Sequence, residues 1–433
     1  MLLKRIRLGL IHVAVAMTLV PINSTLNRVM IKELGLSAAL VALLASLPYL
    51  FAPLQMLIGS FSDRHPVFRL RRSPYILAGL VLCVLGVSLA PLAAFWMAGN
   101  FWPGLLALLL AFGAWGMGYN LASVSYLSLA SELSGEAGRG KTIATMWFMM
   151  IVAIILTAIG LGRMVDPYTP AALVRAFWLI GGAALLLGLL GLIGLEKQAR
   201  GEAEPAADVH SIRAMAGAVF SNRTARTFFL YLLLLLAAIL GQDVLLEPFA
   251  AQAFGLTVRE TTRITSLWGT FVLVAILVAG ALEGRAPKRL VAQIGNLGAL
   301  AGFLGILAGG LLADQRVFYA GVTLLGLGTG LSTVANLALM FDLTVPGSVG
   351  LFIGAWGFSN ALSRLLGSLL GGVLRDVVTG ISGDALAGYL VVFGVEAAML
   401  FAAIFLLGRI DVKAFRQAAE EPSFVEKVAL AGE

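Results

Sequence analysis

Apolar residues run along this chain in blocks of about 20, the length a helix needs to cross the hydrocarbon of a bilayer. Short polar or basic clusters separate the blocks, which fall near 9–31, 37–59, 74–97, 103–130, 141–164, 172–195, 226–253, 261–283, 288–312, 317–341, 349–374 and 385–408. Each is too long for a strand, so the pattern predicts an all-α polytopic membrane protein of about twelve transmembrane helices. Composition changes the picture by excluding a soluble enzyme. With 60% hydrophobic and 12% charged residues and a mean hydropathy of +0.95, the chain has more apolar surface than a soluble core absorbs, and lipid must solvate the rest. The 50 glycines fit the same setting, because small residues let helix backbones approach in a membrane.

The net charge of +7 does not form one nucleic-acid patch. Placing both termini on one side gathers most of the basic residues there, in the clusters Arg64, Arg69, Arg71, Arg72, then Lys197, Arg200, Arg213, Arg223, Arg226, and Arg285, Lys288, Arg289. The positive-inside rule makes that side the cytoplasm and favours an even number of spans. Lys4, Arg5 and Arg7 precede an apolar run that continues through Pro21 and Asn23 without a small-residue cleavage pattern, which predicts a retained first helix. Cys83 stands alone, so no disulfide or thiolate metal site forms within the chain.

The polar interval 196–225 predicts a cytoplasmic linker between an N-terminal half, 1–195, and a C-terminal half, 226–408, with a cytoplasmic tail at 409–433. Internal similarity supports this division. Laying GYNLASVSYLSLASEL (118–133) on GTGLSTVANLALMFDL (328–343) brings Gly118 to Gly328, Ser123 to Thr333 and Glu132 to Asp342. Nearer the start of each half, Asn23 meets Asp243 and Asn27 meets Glu247. Halves with spans in the same order form a parallel repeat about an axis along the membrane normal.

Between the second and third spans stands GSFSDRHPVFRLRR, and between the eighth and ninth GALEGRAPKR. The first resembles the loop signature of the major facilitators and the second its degenerate copy, so the resemblance implies a major-facilitator-type fold of two pseudo-symmetric six-helix halves. In this reading Gly59 permits close packing, Asp63 accepts hydrogen bonds from a helix N-terminus, and Arg64 pairs with a carboxylate ending another span. Glu132 and Asp342 are the expected partners, with Arg285 in the second copy, giving a latch that holds the cytoplasmic face closed.

Polar groups inside spans are expensive and call for a reason. Asn23 and Asn27 share a helix face at i, i+4, with Arg28 alongside, and Asp243 and Glu247 repeat the spacing in the seventh span. These five residues are expected either to line a central cavity or to close its outer end through an Arg28–Glu247 ion pair. The sequence has no Ser-His-Asp set, metal-ligand spacing, phosphate loop or dinucleotide fingerprint, so catalysis is not expected.

STLNRVMIKELG (24–35), LFAPLQMLIGSFSD (50–63) and RRSPYILAG (71–79) resemble the opening of the PucC and LhaA family, a branch of the major facilitators, and AWGFSNALSRLLGSLLGG extends the resemblance into the second half. That resemblance implies an assembly factor of photosynthetic or inner membranes. It would deliver bacteriochlorophyll or chlorophyll, as bound cargo, to light-harvesting antenna polypeptides, or chaperone them. Expected partners are those chains, reaction-centre or pigment-synthesis proteins and membrane lipid, with no nucleic acid. The alternative is a secondary transporter of a small solute or ion. His12, the one histidine within a span, either ligates a chlorin magnesium or hydrogen-bonds a neighbouring helix.

Overall fold

The computed structural model describes residues 2–196, 223–282, 284–343 and 349–412, with positions 217, 220 and 415. Most of the expected linker, 196–225, and of the tail, 409–433, lies outside these residues. The chain separates into two compact units: Met1–Ala207 with Val244–Gly269, and Asp208–Asp243 with Thr270–Glu433. Residues 244–269, which follow the linker in sequence, therefore pack with the first unit.

In the first unit α1 (Leu2–Val20) continues through two π-helical stretches, Pro21–Leu26 and Val29–Glu33. Then come α2 (Ala38–Ala45), α3 (Leu47–Leu50), α4 (Leu54–Arg64), α5 (Ser73–Gly99), α6 (Phe101–Met164) and α7 (Pro170–Leu192). Later in sequence, α9 (Leu246–Phe254) and the first turns of α10 (Val258–Leu282) join them. The second unit holds α8 (Arg223–Gly241), the rest of α10, α11 (Lys288–Leu312), α12 (Gln315–Asp342), α13 (Val349–Ser382) and α14 (Ala385–Gly408).

Among the described residues eleven helices are long and apolar enough to cross a bilayer. The remaining predicted span, 37–59, is broken into α2, α3 and α4. Pro48 and Pro53 lack the N–H that would continue the ladder, so carbonyls are released inside the membrane and must find other donors. At this break Ala52 N–H turns to Tyr49 O, and the fully buried Asn120 of α6 serves the carbonyl left over, donating from Nδ2 to Pro48 O at 2.8 Å. Gly116, on the same helix, lets this happen by bringing its backbone against Pro48.

The fourth and fifth predicted spans form one helical run, α6, but not one rod. Ser134 Oγ donates to Thr142 Oγ1 at 2.8 Å, whereas eight residues of straight α-helix advance about 12 Å. The run therefore folds back between these residues.

Glycine contacts show why the repeat exists. A Cβ on Gly118 would lie 2.6 Å from Cys83 N and from Gly79 O, fixing α6 against α5. A Cβ on Gly328 would lie 2.2 Å from Ala299 N and 2.6 Å from Gly295 O, fixing α12 against α11 in the same way. Gly79, Cys83 and Gly118 in the first unit thus do what Gly295, Ala299 and Gly328 do in the second. Backbone contact of this kind is how membrane helices associate where lipid competes with every apolar side chain.

Candidate functional site

The polar residues of α1 and its continuation lie in a helix widened by Pro21, which cannot donate to the ladder. In a π-helix residues five apart are bonded neighbours, and Arg28 accordingly pairs with Glu33. Arg28 Nη2 also donates to Leu256 O at 3.2 Å. The Ser24 hydroxyl donates to Glu247 Oε1, and Thr265 Oγ1 donates to the same oxygen at 2.6 Å. Thr25 and Thr262 hydroxyls meet at 3.0 Å, Lys32 Nζ donates to Gln252 Oε1 at 2.7 Å, and Arg259 pairs with Asp166 at 2.5 Å. Half-buried Tyr168, in the loop after α6, belongs to the same neighbourhood. Its phenol is pushed above its ordinary range by burial first and by the Glu33 carboxylate second, with Arg28 opposing. All these contacts lie within the first unit, where they stitch α9 and the start of α10 to the end of the first span.

This seam corrects two expectations. Arg28 does not form its ion pair with Glu247; Glu33 and the Leu256 carbonyl take it, because the π turns rotate Arg28 toward residue 33. Asp243 does not join the cluster either. The 3-10 turn Gln242–Val244 breaks the helix between Asp243 and Glu247, so their i, i+4 spacing does not place them on one face. Asp243 instead lies in the second unit, 3.8 Å from Arg364, and accepts from Gln242 Nε2 at 2.8 Å. Asn27 is fully buried and donates to the backbone carbonyl of half-buried Asn23 at 3.2 Å.

The expected carboxylates Glu132 and Asp342 do form ion pairs, but with other cations than Arg64 and Arg285. Glu132 is paired by Arg72, not Arg64: Arg72 Nη2 and Nε both lie 3.0 Å from Glu132 Oε1, and Nη1 donates to Ser62 Oγ at 2.7 Å. Arg64 is exposed at the end of α4, and the side chain of Asp63 lies outside the described residues. The N-terminus of α5 is capped by Glu196. Its carboxylate accepts from the backbone N–H of Arg71 at 2.7 Å, Arg72 at 3.0 Å and Ser73 at 2.7 Å, where the positive end of α5 attracts an anion. Gly59 is not needed for close packing, since an added Cβ would make an ordinary 3.6 Å contact with Val124. In the second unit Asp342 pairs with Lys288 at 2.8 Å, while Arg285, in the turn after α10, donates to Ala281 O of that helix at 2.8 Å. The register that lays Gly79 on Gly295 also lays Arg72 on Lys288. The repeated ion pair is thus Arg72–Glu132 and Lys288–Asp342, each inside one unit: the first joins the start of α5 to the place where α6 folds back, and the second joins the start of α11 to the end of α12.

His12 is buried in α1, its ring 5.1 Å from that of Tyr126 and 5.9 Å from that of Trp147. Its Nδ1 has no hydrogen-bond partner among the described residues. Along α5 and the first turns of α6 runs an apolar groove of about 470 Å³, floored by Gly86 and Ala111 and walled by Leu85, Leu89, Trp96 and Leu110. Its walls are between 43% and 65% exposed, the condition of side chains that meet lipid.

Residues 25–415 match the family model described as PUCC protein. The chain belongs to the PUCC protein family. Protein PucC of Rhodobacter capsulatus is 32% identical to this PUCC-family chain over 420 residues, covering 93% of it and 90% of the relative. A second relative from Rhodobacter capsulatus, "Bacteriochlorophyll synthase 44.5 kDa chain", is 29% identical and covers 97% of this chain and 98% of its own. Among solved structures, a mutant of the nucleoside transporter NupG superposes with a TM-score of 0.75 at 14% identity, covering 94% of this chain and 99% of that one. At that identity the likeness establishes the major-facilitator-type fold alone. Sequence reasoning on this PUCC-family chain missed Arg72, Glu196 and Thr265. Arg72 carried a signal, as it stands directly before the Ser-Pro pair that starts α5; Glu196 carried a weaker one, as the first carboxylate after the apolar run of α7.

Proposed function

We propose that this chain is a membrane assembly factor that delivers bacteriochlorophyll or chlorophyll to light-harvesting antenna polypeptides, or chaperones those polypeptides into place. The observation that carries the reading is the family match over nearly the whole chain, joined by relatives named for PucC and for bacteriochlorophyll synthase. An apolar, lipid-facing groove on α5 and α6 is consistent with an apolar cargo, which needs no aqueous pathway. His12 is the proposed magnesium ligand, because a neutral imidazole is a ligand for such a metal and its neighbours Tyr126 and Trp147 offer flat apolar surface beside it. The membrane is an inner or photosynthetic one, with both termini in the cytoplasm, by the placement of basic residues.

A second reading, secondary transport of a small solute or ion, is favoured by the fold shared with a nucleoside transporter. Gentle solubilisation separates the two. The assembly reading expects pigment and antenna chains to purify with the protein, and expects His12→Leu to lose the pigment while the fold is kept. Protein free of both, with solute uptake in proteoliposomes, would support transport instead.

A further inference from the structure

One carboxyl of the second unit makes no hydrogen bond to any network described above. Glu396 lies in the middle of α14, in the apolar run GYLVVFGVEAAMLFAAIFLLG, and is 4% exposed. Neither of its carboxyl oxygens has a hydrogen-bond partner among the described residues. Three helices meet around it through glycine. A Cβ on Gly367 of α13 would lie 2.3 Å from Ala237 O of α8, and one on Gly241 would lie 2.9 Å from Glu396 Oε1. Glu396 is the one ionisable side chain lining a small pocket there, among Gly367, Leu370, Gly371, Val392 and Met399. The pocket has a volume of about 10 Å³, too little for more than about one water. No organic solute fits it.

The charges around Glu396 leave it one positive charge short. From the α8 side Asp243 acts on it electrostatically, and Asp243 is itself matched by Arg364 of α13. Gln242, 2% exposed, gives its amide N–H to Asp243, and its Oε1 has no donor among the described residues. The membrane part of α11, residues 290–312, which also packs on α14, contributes no ionisable side chain. Arg375, Asp376 and Tyr389 form a separate group along α13 and α14. With Asp243 and Arg364 cancelling, an ionised Glu396 would be a lone charge in the hydrocarbon, which membrane spans tolerate only when it is compensated. The pocket admits nothing larger than a water, so the compensating species must be very small.

We propose that Glu396 is a membrane-buried proton-binding site, carrying one exchangeable proton. A proton bound more tightly in one conformation than in another biases the chain between them, so this site would make the protein responsive to pH or to a proton gradient. The inference is independent of which cargo the protein handles.

The test uses wild-type full-length protein in lipid nanodiscs and dicyclohexylcarbodiimide, an apolar reagent that reacts with protonated carboxyls within membranes. The carboxyl gives its proton to a carbodiimide nitrogen while its oxygen adds to the central carbon, and the adduct rearranges to a stable N-acylurea that mass spectrometry locates. Modification is expected at Glu396, rising as pH falls, unaffected by sodium, and lost in Glu396→Gln. Absence of label at Glu396 in the wild-type protein at both acidic and alkaline pH would overturn the proposal. Label that sodium suppresses and pH does not change would also overturn it, and would assign a metal cation instead.

Discussion

Glu247 and Glu396 are both carboxyls inside membrane helices, 3% and 4% exposed; Glu247 leaves one oxygen and Glu396 both without a hydrogen-bond partner among the described residues. Glu247 receives two hydroxyl donors, from Ser24 and Thr265, and closes a seam within the first unit. Glu396 receives none among the described residues and faces a pocket of glycine and apolar side chains. Burial alone therefore does not mark a working group. The partners decide: a carboxyl that ties two helices together is held in place, whereas one left open can exchange what it binds.

Mutations can break this contrast. Ser24→Ala together with Thr265→Val removes these two hydroxyl donors from Glu247 Oε1 and should cost about 2–4 kcal/mol of stability, read as a lower unfolding temperature in nanodiscs. Adding Glu247→Leu should recover much of that loss, because the stranded carboxyl goes with it. Arg72→Met should cost about 1–2 kcal/mol, since Arg72 is buried and Glu132 and Ser62 lose their charged partner. Glu396→Gln should change stability by no more than about 1 kcal/mol in either direction, because no bond to another side chain is lost. Lys288→Ala should have the smallest effect, below about 1 kcal/mol, because Lys288 is 46% exposed and its pair with Asp342 is solvated. Equal losses for Glu396→Gln and for the Ser24, Thr265 pair would erase the distinction between seam and site.

The spans were legible because their signal is coarse. A run of about 20 apolar residues survives errors of several residues at either end. The repeat was legible too, since Gly118 and Gly328 are fixed by backbone contacts that no other residue tolerates. Side-chain partners were not, for identifiable reasons. The i, i+4 rule assumes an α-helix, and both places where it was applied are interrupted, by π turns after Val20 and by the 3-10 turn at Gln242–Val244. The loop pattern points to Arg64, whereas the start of α5 brings Arg72 to Glu132. Glu196 reaches across 123 residues to cap Ser73, a distance that local sequence does not encode. Glu396 was visible as a lone acid in an apolar run, and the cost of burying it was the available signal.

The proposed function is assembly of a pigmented antenna. Its most direct test is the membrane absorption spectrum of the parent organism with this gene deleted and then restored. Total extracted pigment is expected to stay close to normal while an antenna band falls or disappears, and the intact gene is expected to bring the band back. A spectrum identical to wild type in the deletion strain would contradict it.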